Sequence, residues 1–161
     1  MKKLIQGLLL AMALAAAPAR ADVVFELSLG SGARIDPKPT ERIATNIMLA
    51  GGFSFAGMLK LELGLLGNLG DVQDSEFDLS LRPMVVISPP LFPLYLRGIL
   101  AVNGLVDGPT DVAYGAALGL SFGLFGIGAF IEAGYLPQDL KVGDEEVRVK
   151  LIEGRIGGYW E

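Results

Sequence analysis

Apolar and polar residues alternate along most of this chain, so that side chains of different character point to opposite faces. From Val112 to Gly123, for example, bulky apolar residues alternate with Ala, Gly and Ser. A period of two residues predicts β-strands, and eight such segments follow one another along the chain. They span residues 23–34, 42–50, 53–66, 77–87, 94–103, 112–123, 127–135 and 147 onward.

The connections between these segments alternate in length and polarity. Short links lie at residues 51–52, 88–93 and 124–126, and longer polar links lie at residues 35–41, 67–76, 104–111 and 136–146. Short turns at one end and longer loops at the other are typical of an up-and-down barrel. The sequence therefore predicts an all-β fold, namely an eight-stranded antiparallel up-and-down β-barrel.

The sequence predicts irregular pairing between strands at two places. Pro83 has no amide N–H to donate to a neighbouring strand, so we expect a break in the hydrogen-bonded ladder there. The apolar face changes parity near Leu151 and Ile152, which predicts a β-bulge at that point. Before this change of parity, Arg148 and Lys150 would face the interior.

The first residues carry the pattern of a secretory signal. Lys2 and Lys3 precede an apolar run, and the tripeptide 19–21 places small residues at the −3 and −1 positions of a cleavage site. The apolar run is too short to span a membrane comfortably, which argues against an N-terminal anchor. We expect a cleavable helical signal peptide at residues 1–21 and one barrel domain at residues 22–161.

The volume of the apolar side chains indicates which face is outside. Eight strands with about four large apolar residues each place roughly thirty on one face, whereas an eight-stranded interior is only just wide enough to be filled. The bulky face then points outward into lipid, and the predicted barrel is transmembrane. Aromatic residues support this orientation, because all except Phe130 lie near segment ends, as in the girdles of membrane barrels. The alternative is a soluble periplasmic barrel of the lipocalin type, with Leu and Ile turned inward around a lipid-like ligand.

The pattern resembles the small eight-stranded outer-membrane barrels of Gram-negative bacteria, the OmpA, OmpX and OmpW-like group, over residues 22–161. This resemblance implies an outer-membrane location, contact with outer-membrane lipids and insertion by the barrel assembly machinery. Members usually end in an aromatic residue that this machinery reads, whereas here Glu161 follows Trp160. The loops are shorter than those of members that use long loops for adhesion.

Composition disfavours several classes of function. The chain has 13 Lys and Arg against 18 Asp and Glu, and removal of Lys2, Lys3 and Arg20 leaves 10 against 18, a net charge of −8. Nucleic-acid binding needs a basic footprint, which this balance does not provide. Histidine is absent, so the general base of the outer-membrane hydrolases and transferases has no counterpart, and we expect no enzyme.

The longer links are rich in Asp and Glu, whose oxygen atoms suit Ca²⁺ or Mg²⁺. None of these links fits the EF-hand spacing, so a solvated acidic rim is the favoured interpretation. The sequence thus predicts neither a metal site nor a cofactor.

Charged residues on the inward face would be buried in the lumen, where they must pair to be tolerated. We expect a network of ion pairs formed by Glu26, Lys60, Glu62, Asp78, Arg82, Arg97, Glu132, Arg148, Lys150, Glu153 and Arg155. Small inward residues predict a lumen cavity lined by Gly115, Ala117, Gly119, Ser121, Gly128 and Gly134. A pair such as Glu62 with Arg82 would act as a gate if it parted. The expected function is a structural role in the envelope or passive transfer of a small or apolar solute.

Overall fold

The computed structural model describes residues 21–36, 39–69, 79–89, 92–106, 110–142 and 145–161, without the side chains of residue 41 and residues 138–147. The expected signal segment before residue 21 lies outside the described residues. Among those described, no helix is long and apolar enough to cross a membrane. The strands are β1 (Ala21–Asp36), β2 (Glu41–Phe55), β3 (Leu59–Asn68), β4 (Leu79–Ile87), β5 (Leu94–Asn103), β6 (Asp111–Leu124), β7 (Ile127–Val142) and β8 (Glu145–Trp160).

Each strand pairs antiparallel with its neighbours in sequence, and β8 pairs with β1 to close the barrel. The predicted all-β, eight-stranded antiparallel barrel is therefore confirmed. We call the end with the links β2–β3, β4–β5 and β6–β7 the turn end, and the opposite end the loop end. Closure leaves no unpaired sheet edge, which protects the barrel from pairing with other chains.

Most large apolar side chains point away from the barrel, and a cluster of charged side chains points into it. In β3, Leu61, Leu63 and Leu65 are 46%, 52% and 43% exposed, whereas Glu62 between them is 6% exposed. Because successive side chains of a strand alternate between faces, this sorting follows directly from the period-two sequence. It contradicts the lipocalin-type alternative, in which Leu and Ile face inward.

The ladder break expected at Pro83 is confirmed. β4 pairs with β5 at Leu81 and again from Met84 onward, but Arg82 and Pro83 have no pairing partner in β5. The register is the same on both sides of this gap. The missing amide N–H of proline thus interrupts the ladder without shifting it.

The turn between β2 and β3 differs from the prediction. Gly51 and Gly52 lie inside β2, and the chain turns at residues 56–58 instead. A Cβ added to Gly52 would collide with the carbonyl oxygen of Leu61 in β3. The glycine at position 52 therefore permits a close approach of two strands and does not form a turn.

We expect Gly52→Ala to destabilise the barrel by about 1–3 kcal/mol, because the new methyl group must displace the backbone of β3. Gly51→Ala is the matched control, since its Cβ would meet no atom closer than 3.7 Å. Its effect should stay within about 0.5 kcal/mol. Urea denaturation of the refolded variants measures both values, and equal effects would contradict the placement of residue 52 inside β2.

The hairpin of β7 and β8 is longer than predicted. β7 continues to Val142 and β8 begins at Glu145, so most of the polar link expected at residues 136–146 is strand. Leu136, the first residue of that expected link, is 1% exposed inside the barrel. Its apolar character is therefore explained by burial in the lumen.

The β-bulge expected near Leu151 and Ile152 is wrong. The pairing of β7 with β8 runs without a shift, and inward positions of β8 keep one parity from Val149 to Arg155. The nearest register shift lies in β1, between Arg34 and Asp36, where β1 faces β8. Val149 and Leu151 consequently face inward: Val149 is 3% exposed, and Leu151 packs against buried apolar side chains of the lumen.

Candidate functional site

Arg97 of β5 lies at the centre of a group of buried charges inside the barrel. Its Nη1 and Nη2 atoms donate hydrogen bonds to the two carboxylate oxygens of Glu26, at 3.0 and 2.6 Å. Its Nε atom lies 3.4 Å from Glu132, and Nη2 lies 3.6 Å from Glu62. All four side chains are at most 4% exposed, so solvent screens these interactions little.

Two further arginines extend this group. Arg82 donates from Nη1 and Nη2 to Glu153 at 2.8 and 3.0 Å, a bidentate pair of the strong kind. Arg155 lies 3.7 Å from Glu132 and 3.6 Å from Glu153. It therefore connects the group around Arg97, which includes Glu132, to the pair of Arg82 with Glu153. We call the complete set the lumen cluster: Glu26, Glu62, Arg82, Arg97, Glu132, Glu153 and Arg155.

Three neutral side chains add hydrogen bonds to the lumen cluster, and none of them is a predicted site residue. The Tyr95 hydroxyl donates to Glu132 at 2.7 Å, and Arg155 donates to Asn46 at 2.8 Å and to Ser28 at 3.4 Å. Strand parity places Asn46 and Ser28 inward and so signals both. Tyr95 lies near a strand end, where aromatic residues predict a girdle, but it is 4% exposed and faces inward, as its parity with Arg97 indicates.

Lys60, a predicted member of the network, lies apart from the lumen cluster at the turn end. Its Nζ atom is 3.2 Å from the Glu161 side chain and 4.7 Å from the centre of the Tyr159 ring. The Glu161 amide also donates to the carbonyl of Gly126 at 2.8 Å. These contacts connect β3, the end of β8 and the β6–β7 turn across the turn-end mouth.

Arg148 and Lys150 do not join the lumen cluster, which corrects the sequence analysis. Lys150 pairs with Asp36 at 2.7 Å with both side chains more than one-third exposed, and Arg148 is exposed. The reason is the continuous parity of β8, which turns its odd-numbered residues inward. Asp78 lies outside the described residues.

The pairing of Glu62 with Arg82, the example considered for a gate, is wrong. Arg82 is committed to Glu153, whereas the nearest cation recorded for Glu62 is Arg97. One oxygen of Glu62, Oε2, is buried without a hydrogen-bond partner.

The space beside the small inward residues is occupied by neighbouring side chains. A Cβ on Gly119 would meet the ring of Tyr95, and a Cβ on Gly128 would meet the ring of Tyr159. A Cβ on Gly115 would meet the carbonyl of Tyr135 and would lie 2.8 Å from Leu136 Cγ. The cavity expected at these glycines is therefore filled by the larger residues that they accommodate.

The other predicted cavity residues leave little space. Ala117 is 2% exposed, and a Cβ on Gly134 would lie 3.4 Å from the Ala117 methyl group. Ser121 contributes to a cavity of about 20 Å³ near the turn end, together with Lys60, Glu62 and Tyr159. A cavity of this volume holds about one water molecule.

Apolar side chains fill another part of the lumen. Met48, Leu66, Met84, Ile99 and Leu136 are at most 7% exposed and pack together with several alanines. These residues come from β2, β3, β4, β5 and β7, so the packing extends across the barrel. Side chains therefore replace water in this part of the lumen.

The carboxylates of the lumen cluster are held mainly by pairing. Glu26 and Glu153 each accept two hydrogen bonds from one guanidinium, and Glu132 accepts one from a tyrosine hydroxyl. Guanidinium groups remain protonated in proteins and cannot act as general bases. In the part of the chain that the structure describes, no three acidic side chains are grouped to hold a metal ion.

Comparison with known proteins bears on the fold. The chain superposes on the crystal structure of Neisserial surface protein A with a TM-score of 0.60 and 13% identity, covering 87% of this chain and 97% of that chain. The barrel is similar in fold to that protein. No family model matches the sequence, and neither does a curated protein. The expected likeness to small eight-stranded barrels is thus supported at the level of the fold.

Proposed function

We propose that this chain is a non-enzymatic β-barrel of the bacterial outer membrane with a structural role in the envelope. The observation that carries this proposal is the apolar outer face of a closed barrel whose lumen buries a cluster of paired charges. Leu63, Leu118, Ile131 and Ile156, from four different strands, are each more than half exposed. Exposure to water would cost about 25 cal/mol for each Å² of such surface, whereas lipid removes that cost.

Exposed aromatic residues support a membrane position. Tyr114 and Tyr135 are 63% and 44% exposed toward the loop end. Aromatic girdles mark the two interfaces of membrane barrels, with the short turns on the periplasmic side. A larger group lies toward the turn end: Phe25, Phe53, Phe55, Phe92, Phe122, Phe125 and Trp160.

The filled lumen favours the structural role over passive transfer of a solute. The lumen cluster and the apolar side chains beside it occupy the barrel, and eight-stranded barrels have no obligatory aqueous channel. The partners in this proposal are outer-membrane lipids and the barrel assembly machinery. Residues 1–21 would direct export.

Two measurements on one preparation test the proposal. Native protein should fractionate with outer membranes and migrate faster on unboiled than on boiled SDS gels, because a closed membrane barrel resists cold detergent. In planar bilayers the same protein should give no conductance steps. Recovery in the soluble periplasmic fraction would contradict the membrane location, and steady conductance would contradict the filled lumen and favour solute transfer.

A further inference from the structure

The three connections at the turn end contain no charged residue. Their sequences are Ala-Gly-Met at residues 56–58, Ser-Pro-Pro-Leu-Phe-Pro at 88–93 and Phe-Gly at 125–126. Met58, Phe92 and Phe125 are 47%, 68% and 95% exposed. Turns that face water are normally rich in Asn, Asp, Ser and Gly, so this end of the barrel presents an unusually apolar tip in each link.

Two of these turns have a backbone conformation that favours residues other than the ones found there. Phe125 and Gly126 have φ angles of +55° and +80°, and Ala56 and Gly57 have φ angles of +53° and +65°. Asn-Gly and Asp-Gly are the favoured sequences for hairpin turns with two positive φ angles. A bulky residue such as Phe is a rare occupant of that conformation and carries strain.

Phe125 also has no packing role within the barrel, because it is almost fully exposed. Its neighbours Leu124 and Ile127 are 70% and 61% exposed, and Phe122 is 64% exposed. The turn therefore continues the apolar outer face and its aromatic girdle beyond the last paired residues. At 95% exposure, the Phe125 ring gains little from packing within the barrel that would offset this strain.

We infer that the exposed apolar residues of these turns, Met58, Phe92 and Phe125, insert into the headgroup and acyl boundary of the periplasm-facing leaflet, with Phe125 as the main anchor. This inference rests on the proposed membrane function and extends it to the turns. An aromatic ring at the interface is stabilised by apolar contact, which offsets the backbone strain at position 125. Because the three turns carry no cation, the contact does not depend on anionic lipid.

Fluorescence quenching in phosphatidylcholine vesicles that contain bromine-labelled acyl chains tests the inference. Trp160 is the single tryptophan of the chain and reports on the girdle. We expect quenching of the wild type and of the F125W/W160F variant. The control T40W/W160F places the probe at an exposed position at the loop end and should remain unquenched.

The outcomes separate this inference from the proposed function. Quenching of the wild type without quenching of F125W/W160F would leave the membrane barrel intact and would overturn the insertion of the turn. Absence of quenching in every variant would contradict the proposed function itself. Equal quenching with and without added anionic lipid is expected, and dependence on anionic lipid would contradict an uncharged anchor.

Two substitutions at position 125 give a second test. The change in stability caused by F125N has one sign if the turn faces water and the opposite sign if the turn is inserted in lipid. In a water-facing turn, F125N would relieve strain and raise the urea midpoint of unfolding. In an inserted turn, F125N should lower the folding equilibrium constant in vesicles about tenfold, because it removes an apolar ring from lipid. F125L keeps the apolar contact and should stay near the wild type. A midpoint for F125N at or above the wild type, or an equal loss in F125L, would overturn the inference.

Discussion

Replacement of Arg97 by methionine is expected to cost the barrel about 3–5 kcal/mol of unfolding free energy. The guanidinium holds both oxygens of Glu26 and lies within 3.6 Å of Glu62 and Glu132. Methionine keeps most of the volume but leaves three buried carboxylates without their shared cation. The cost is large because a buried charge without a partner loses hydration and gains nothing in return.

The protein is refolded in lipid vesicles and titrated with urea. The fraction that migrates as the folded band on unboiled gels measures this loss. Arg42→Met is the matched control, because Arg42 is exposed and its replacement should change stability by about 0.5 kcal/mol or less. The double variant R97M/E26Q should lose less than the sum of its single variants, with a coupling of about 0.5–3 kcal/mol. Strict additivity would contradict a direct Arg97–Glu26 pair, and E26Q alone keeps the test informative if R97M does not fold.

Gly119→Leu is expected to destabilise the barrel by about 3 kcal/mol. Overpacking of a filled core costs about 1–3 kcal/mol, and a side chain at position 119 must displace the ring of Tyr95. Displacement of that ring also breaks its 2.7 Å hydrogen bond to Glu132, which adds a loss of about 1.5 kcal/mol or more for a charged acceptor. Thermal unfolding followed by the gel shift measures the sum.

Gly98→Leu is the control for this substitution. Gly98 lies on the outer face of β5, and its nearest neighbour for an added Cβ is the Val85 carbonyl at 3.8 Å. A side chain there should be tolerated, since it points away from the barrel. The double variant Y95A/G119L should recover part of the stability because removal of the ring makes room. Wild-type stability of G119L alone would indicate an empty lumen at this position.

Strand parity predicted most of the barrel because one physical rule applies to nearly every strand. Outward positions carry mostly large apolar side chains and many inward positions carry charged or small ones, so the alternation of Leu61 and Glu62 indicates their faces in the sequence. The rule gave the wrong faces at the start of β8, where Val149 is buried and Leu151 packs against the apolar side chains that several other strands also direct inward. A composition-based assignment of faces cannot detect an interior whose polarity changes along the barrel axis.

Contacts that depend on the stagger of the strands were not readable from the sequence. Parity placed Arg82, Glu62 and Glu153 on the same inward face, but the choice of Glu153 by Arg82 depends on how the closed barrel offsets its strands. The Gly51-Gly52 pair misled for a different reason. Two glycines are a strong turn signal, yet they also occur where backbones approach closely, and only the structure separates these uses.

The two bidentate ion pairs also constrain how the barrel can form. Arg97 of β5 donates to Glu26 of β1, and Arg82 of β4 donates to Glu153 of β8, with a sequence separation of 71 in each case. In a ring of eight, the strands of each pair stand on opposite sides. An open sheet holds these partners apart, and their charges stay hydrated until the ring closes. Ring closure and the dehydration of these charges are therefore one cooperative event. The two ion pairs resist flattening of the finished barrel but do not stabilise a partly formed barrel.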